Sequence, residues 1–105
     1  MNNKQKQKAN IAAAKLLGLE YSAKSIHKTH NGTWHIDMNV DIFTNPADCL
    51  AVVKVLGADN VVLFSDMTKG VLMWKARYWT GIYSKRFDTY EESVAAACLR
   101  KSSVA

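Results

Sequence analysis

The fold is decided by the stretch Thr33-Trp34-His35-Ile36-Asp37-Met38-Asn39-Val40-Asp41-Ile42, in which polar and apolar residues alternate without interruption. Because successive side chains of a strand point to opposite faces of a sheet, this alternation predicts a β-strand over residues 33–42 with one buried face. The buried face is expected to consist of Trp34, Ile36, Met38, Val40 and Ile42. The remaining side chains of the stretch would face solvent or a polar partner.

A β-hairpin is predicted just before this strand, because Asn31-Gly32 is a turn signal. A two-residue loop would place Ile26 on the polar face of the hairpin. A three-residue loop, residues 30–32 with the glycine in the left-handed conformation, pairs Ile26 with Ile36 and keeps the apolar side chains together. We therefore expect the three-residue loop.

Two helices are predicted on either side of this hairpin. The first is alanine-rich, begins at Asn10 and ends before Gly18, a residue suited to the left-handed position after a helix. Its small side chains would let it lie close against a sheet. The second begins at Asn45-Pro46, which combines a capping side chain with proline at the first helical position, and it is expected to stop at Gly57.

Further strands are expected after the second helix. Residues 61–64 are a short apolar run of the kind found in interior strands, and residues 71–80 are their predicted hairpin partner across a loop at 66–70. Residues 82–87 are expected to continue the sheet after a bend at Gly81.

The last helix is predicted to open at Asp88 or Thr89, each of which is followed three residues later by a glutamate. The resulting order is α-β-β-α-β-β-(β)-α. It predicts an α+β fold in which three helices flank an antiparallel sheet of four to five strands. Residues 10–101 would form a single domain, preceded by a flexible basic lead-in of residues 1–9 and followed by a frayed C-terminus of residues 102–105.

The composition places the chain among ordinary globular domains. Its 105 residues are 49% hydrophobic and 22% charged, which argues against wholesale disorder and against a disulfide miniprotein. No apolar run approaches the ~20 residues of a spanning helix, and the first residues are polar, so we expect a cytoplasmic protein with no membrane partner. The net charge of +5 favours polyanionic partners, but many proteins with such a charge have none.

Several segments together resemble one known group. They are Ile11-Ala12-Ala13-Ala14-Lys15-Leu16-Leu17-Gly18, Asn45-Pro46-Ala47-Asp48, the strand bearing Trp74, and Ser93-Val94-Ala95-Ala96-Ala97-Cys98-Leu99-Arg100. In these segments the chain resembles the small phage and prophage proteins of the phage ABA-sandwich domain. The resemblance implies a phage-encoded accessory protein with helices flanking a sheet, and it carries no catalytic residues with it.

The residues that could carry chemistry favour structural roles. Cys49 and Cys98 fall on the apolar stripes of helices, where a thiol behaves as a small hydrophobe. His27, His30 and His35 gather around one hairpin and are weak candidates for a metal site, although histidines on a solvated strand face are the more common case. The sequence contains no glycine-rich phosphate loop or nucleophile elbow, so we expect no enzymatic activity and no cofactor.

The most suggestive segment interleaves basic and aromatic residues. We name its expected contact residues the basic–aromatic surface: Lys75, Arg77, Trp79, Tyr83, Lys85 and Arg86. Trp, Tyr and Arg dominate protein-binding hot spots, while aromatic side chains in basic grooves also stack bases of single-stranded nucleic acid. The third alternative is an amphipathic strand whose cations lie along a partly exposed tryptophan and bind no ligand.

Taken together, these features predict a non-enzymatic binding protein of phage or prophage origin. A host or phage protein is the expected partner, and the resemblance extends this to an inhibitor of a bacterial defence system. A nucleic-acid-binding module is the alternative, and a small enzyme is a distant third.

Overall fold

The computed structural model describes residues 1–21, 26–28, 30–32, 34–36 and 39–103. This part of the chain contains three helices and four strands: α1 (Asn3–Leu16), β1 (Ile26–Lys28), β2 (Trp34–Ile36), α2 (Pro46–Ala58), β3 (Val62–Thr68), β4 (Val71–Arg77) and α3 (Tyr90–Ser103). The α+β class is therefore as predicted. The described strands form two separate antiparallel pairs, β1 with β2 and β3 with β4, so the prediction of one sheet with four to five strands is wrong.

The long alternating stretch accounts for much of this difference. In the predicted strand over residues 33–42, only β2 is a described strand, while residues 33, 37 and 38 lie outside the described residues. Residues 39–41 are not in a strand, and residues 42–44 form a turn. Val40 and Ile42 are buried, as the alternation predicted.

A local hydrogen-bonded turn takes the place of the end of that strand. The Asp41 carboxylate accepts hydrogen bonds from the backbone N–H of Phe43 at 3.0 Å and from the Thr44 hydroxyl at 2.7 Å. Such bonds offer the backbone an alternative to a sheet ladder. The alternation of side chains therefore reflects burial of two residues against the core, not a continuous strand.

The register of the first hairpin is the one predicted for a three-residue loop. Ile26 pairs with Ile36 across the two strands. Gly32 has a φ of 81°, which is the left-handed conformation that the loop requires.

The first strand of the second hairpin, β3, is longer than predicted because the hairpin closes in a tight turn. Lys69 and Gly70 both have positive φ values, 52° and 78°, as a two-residue type I′ turn requires. Thr68 therefore pairs directly with Val71, and the expected loop at residues 66–70 is mostly strand. The second strand of the hairpin, β4, ends at Arg77 and does not reach residue 80.

Residues 82–87 run beside β4 but pair with it only at isolated bridges. Arg77 is opposite Tyr83, and Trp74 is opposite Phe87. The two bridges differ by one residue in register, which defines a β-bulge on the 83–87 side. At this bulge the Ser84 hydroxyl replaces a backbone carbonyl and accepts the hydrogen bond of the Ala76 N–H at 2.8 Å. The bulge interrupts the ladder, so the optional fifth strand does not form.

The first helix begins earlier than predicted, at Asn3 instead of Asn10. Asn2 and Gln5 form a capping box, in which each side chain accepts a hydrogen bond from the other's backbone N–H. Residues 3–9, which the sequence assigned to the flexible lead-in, thereby form the first half of α1. At its other end, Gly18 adopts the predicted left-handed conformation with a φ of 70°.

The second helix starts as predicted, but it ends at Ala58 and not before Gly57. The Asn45 side chain caps it by accepting a hydrogen bond from the Ala47 N–H at 3.1 Å. Gly57 lies inside the helix, and Asn60, with a φ of 63°, is the left-handed residue after it. The Val61 N–H then bonds to the Leu56 carbonyl, which completes a Schellman motif.

The core is arranged around α3, which contacts α1, α2 and β4. The buried residues of α1 are mostly alanines, and such small side chains let packed helices approach closely. The prediction that α1 lies against a sheet is wrong, because its main neighbour among the described elements is α3. The fully buried residues include Ile42, Leu56, Val52 and Val94. None of the described helices has the length and apolar composition that crossing a membrane would need.

Candidate binding surface

The strand β4 separates the residues of its core face from those of the basic–aromatic surface. Ala76 is fully buried on the α3 side, and Trp74 packs edge-on against Tyr90 of α3 with ring centroids 5.0 Å apart. Lys75 and Arg77 alternate with these residues along β4 and point to the opposite face. Arg77 is exposed, while Lys75 is half-buried.

Lys75 is half-buried because two aromatic rings surround its side chain. The register of β3 and β4 places Phe64 directly opposite Lys75. The Lys75 Nζ lies 5.1 Å from the centroid of the Phe64 ring and 5.1 Å from that of the Tyr83 ring. The two rings meet edge to face at 6.0 Å. A cation between two rings is a stabilising arrangement that also fixes their orientation.

One carboxylate ties two cations of the surface together. One carboxylate oxygen of Asp66, Oδ2, accepts a hydrogen bond from the Arg86 Nε at 3.0 Å. The Arg86 Nη2 lies 2.9 Å from the same oxygen and completes the ion pair. The Lys75 Nζ lies 3.5 Å from the same carboxylate oxygen. The hydrogen bond from Arg86 is the main reason that the pKa of Asp66 is lowered, and the charges of Lys75 and Arg86 act in the same direction. Asp66 therefore offsets part of the charge of Lys75 and Arg86, and the centre of the surface is an ion network and not an open row of positive charges.

Tyr83 and Lys85 lie on either side of the bulge residue Ser84 and contact different parts of the surface. Tyr83 pairs with Arg77 before the bulge and keeps 54% of its surface exposed. The Ser84 hydroxyl donates to the Lys85 carbonyl at 2.8 Å. The Lys85 Nζ lies 5.3 Å from the centre of the Phe87 ring, on the far side of the bulge.

Trp79 lies in a turn and not on the strand where the sequence placed it. The turn spans residues 78–81, with the Gly81 N–H bonded to the Tyr78 carbonyl at 2.9 Å. Trp79 is 73% exposed, more than any other large hydrophobic residue in the described part of the chain. Its position brings it to the mouth of a cavity of about 430 Å³ at the end of α3. The structure therefore divides the predicted surface into a network around Lys75 and a separate exposed ring at Trp79.

Two residues of the network were missed by the sequence analysis. Phe64 and Asp66 were assigned to a short core strand and a loop, yet both contact Lys75. The signal that could have found them is Lys69-Gly70, a dipeptide compatible with a tight turn. Recognising it would have paired Phe64 with Lys75 by counting outward from the turn.

Exposed apolar side chains are frequent in the stretch of chain that forms the β3–β4 hairpin and the turn after it. In the described part of the chain, ten large hydrophobic residues are exposed, and seven of them lie between residues 62 and 83. These seven are Val62, Met67, Val71, Leu72, Trp79, Ile82 and Tyr83. An apolar concentration of this kind beside charged groups is typical of an interaction surface.

The two thiols are buried, in agreement with the sequence analysis. Cys49 is 6% exposed and Cys98 is fully enclosed. Burial raises the pKa of Cys98 to about 12, with a further contribution from Cys49. Burial also raises the pKa of Cys49, assisted by the charge of Glu91. Neither thiol is therefore a ready nucleophile near neutral pH.

The histidines divide between described and undescribed positions. His27 pairs with His35 across the first hairpin, but their side chains lie outside the described part of the structure. His30 is an exposed turn residue. Over the residues that are described, no three His, Cys, Asp or Glu side chains come together as a metal site requires.

In comparisons with known proteins, no family model, curated protein or solved structure matches this chain.

Proposed function

We propose that this protein acts without catalysis, by binding a partner protein through the β3–β4 hairpin and the turn that follows it. The observation that carries the proposal is that seven exposed large hydrophobic residues lie between positions 62 and 83, on the two faces of the hairpin and in the turn after it. Burying such side chains against a partner would remove apolar area from water, which is the main driving force of protein association. Trp79 and Tyr83 are also of the residue types that form binding hot spots.

The charge arrangement favours a protein over a nucleic acid as the partner. Lys75 and Arg86 both contact the Asp66 carboxylate. A phosphate backbone would meet this carboxylate between the two cations at the centre of the surface, where both cations are already engaged by it. A protein surface can instead cover the rings of Phe64 and Tyr83 while leaving the ion network intact.

The identity of the partner rests on the resemblance to the phage ABA-sandwich domain. It makes a host protein of an infected bacterium, or another phage protein, the expected partner. Inhibition of a bacterial defence system is the activity we propose for such a complex, since a small binding domain acts by occupying a surface.

Capture from a bacterial lysate with the tagged full chain tests the proposal. We expect the wild type to enrich a protein that Tyr83→Ala and Trp79→Ala fail to retain. Leu50→Ala is the matched control, because Leu50 is also an exposed aliphatic residue, 56% accessible, but belongs to α2. If the two aromatic variants retain every protein that the wild type does, the proposed surface is wrong.

A parallel measurement addresses the nucleic-acid alternative. Retention on single- and double-stranded DNA is measured across a salt series for the wild type and Arg77→Ala. Binding through phosphates would be strong at low salt and fall steeply as salt rises. Such behaviour, lost in Arg77→Ala, would replace the protein partner by a nucleic acid.

A further inference from the structure

A cavity of about 430 Å³ lies beside Trp79, where the ends of α2 and α3 meet the turn 78–81. Its volume falls in the lower part of the range of ~300 to 1,000 Å³ typical of ligand sites. Val61 and Tyr78, both buried, form part of its lining. The cavity is thus large enough for a bulky side chain and has an apolar interior to receive it.

Trp79 stands at this cavity with most of its ring in water. It lines the cavity and yet is 73% exposed. An aromatic group entering the cavity would lie against the indole and would remove apolar area of both rings from water. The exposed indole and the apolar lining therefore favour an aromatic occupant.

The charged residues of the cavity come from the helix ends. Arg100 lies over the Tyr78 ring, with its guanidinium carbon 4.2 Å from the ring centroid. Lys101 forms an ion pair with Asp59. Two cations and one carboxylate line the cavity, so its charge is positive, and the whole chain carries +5. An acidic occupant is favoured by both the local and the overall charge.

We infer that this cavity anchors an acidic segment of a partner protein, with an aromatic side chain inserted beside Trp79 and carboxylates at Arg100 and Lys101. The inference rests on the proposed function, since Trp79 belongs to both surfaces. It adds the chemistry of the partner: an exposed segment that carries an aromatic residue between acidic ones. A second copy of this chain fits less well, because it would bring another charge of +5 to the same positive site.

Nuclear magnetic resonance of the full chain with short capped peptides tests the inference without knowledge of the partner. The probe is Glu-Asp-Phe-Asp-Glu, and the matched peptides are Glu-Asp-Ala-Asp-Glu and Lys-Arg-Phe-Arg-Lys. We expect the acidic phenylalanine peptide to shift the indole N–H of Trp79 and the amides of residues 97–101. Replacing its ring by a methyl group should weaken binding about tenfold, and the basic peptide should cause no saturating shift.

Variants of the chain separate the contributions of the ring and the charge. Trp79→Ala should abolish binding of the acidic peptide. Arg100→Gln should weaken it about two- to fivefold, as expected for an exposed ion pair. Lys54→Gln removes the same charge from an exposed position of α2 and should leave binding unchanged. The peptide comparison on the wild type needs no variant to fold.

Three results would overturn the inference. The acidic peptide could cause no shift, it could shift Phe64 and Tyr83 instead of the cavity residues, or an oligothymidylate could shift Trp79 more strongly than the peptide. A failure of the peptide while Tyr83→Ala still loses the captured protein would leave the proposed function standing. The reverse result, peptide binding with unchanged capture by Tyr83→Ala and Trp79→Ala, would remove the proposed surface and keep the cavity as an acidic-peptide site.

Discussion

At the scale of single residues, Asn10 is the side chain that ties α1 to the segment before α2. It is 8% exposed, and its Oδ1 accepts the hydrogen bond of the Ile42 N–H at 3.0 Å. Its Nδ2 lies 3.4 Å from the Asp41 carboxylate. Ile42 is almost fully enclosed, so water cannot readily replace the amide as acceptor for its N–H.

Replacing Asn10 by alanine should therefore lower the free energy of unfolding by about 1–3 kcal/mol, the cost of leaving a buried donor without a partner. Urea denaturation measures the change. Gln7→Ala is the control, because Gln7 is an exposed residue of the same helix. Equal midpoints for both variants would show that the hydrogen bond to Ile42 adds nothing to stability.

Asp41 makes stability depend on pH in the acid range. Burial acts to raise its pKa, but the hydrogen bonds from Thr44, Phe43 and Asn10 outweigh it, so the pKa lies below the ordinary value of 3.8. A carboxylate with a lowered pKa stabilises the folded state above its unfolded pKa, and this contribution is lost as pH falls through the folded pKa.

We accordingly expect Asp41→Asn to be less stable than the wild type near neutral pH, and the difference to shrink as the pH falls below about 3.8. Urea midpoints at a series of pH values measure it. Asp88→Asn, an exposed carboxylate at the start of the last helix, serves as the charge control. A difference that stays constant with pH would assign the effect to shape and not to ionisation.

At the scale of secondary-structure elements, the features that sequence predicts well are those determined by neighbours in the chain. The Asn45 cap and the left-handed Gly18 are such features, and the structure contains both. The capping box of Asn2 and Gln5 has an equally local signal, an acceptor side chain followed three residues later by Gln. The polar character of residues 1–9 predicts a flexible segment, but the cap makes most of it helical.

The sheet could not be predicted in the same way, because its extent depends on long-range contacts. The alternation in residues 33–42 identified Val40 and Ile42 as buried. It could not show that Asn10, more than thirty residues earlier, accepts the N–H of Ile42 that a strand partner would otherwise use. A period of two describes which side chains are buried, and the hydrogen-bond partner decides whether a strand results.

The hydrogen bonds of the Ser84 hydroxyl at the bulge should have a detectable effect on the stability of this region. Its hydroxyl accepts from the Ala76 N–H and donates to the Lys85 carbonyl. Ser84→Ala should speed amide exchange of Ala76 and lower the free energy of unfolding by about 1–3 kcal/mol, while Ser84→Thr keeps the hydroxyl and should retain most of the protection. Unchanged exchange at Ala76 in the alanine variant would mean that a backbone carbonyl takes over as acceptor.

At the scale of the whole molecule, five of the six predicted contact residues are exposed and Lys75 is half-buried, but their arrangement could not be read from the sequence. Periodicity placed Lys75 and Arg77 on the outer face of β4. It gave no indication that Asp66 would form ion pairs with both Lys75 and Arg86, because that network joins β3, β4 and the segment after the bulge. The cavity beside Trp79 likewise depends on how the ends of two helices meet.

The two buried thiols, Cys49 in α2 and Cys98 in α3, show whether these two helices unfold together with the rest of the core. Cys98 is fully enclosed, with a pKa raised to about 12 by burial first and by Cys49 second, so its reaction with a thiol reagent at about pH 8 requires opening of the core. In Cys49→Ala we expect Cys98 to be labelled at the rate of global unfolding measured by urea jump. In Cys98→Ala, the 6% exposed Cys49 should react faster, through local opening of α2. Rapid labelling of Cys98 with unchanged circular dichroism would show that α3 separates from the core without global unfolding.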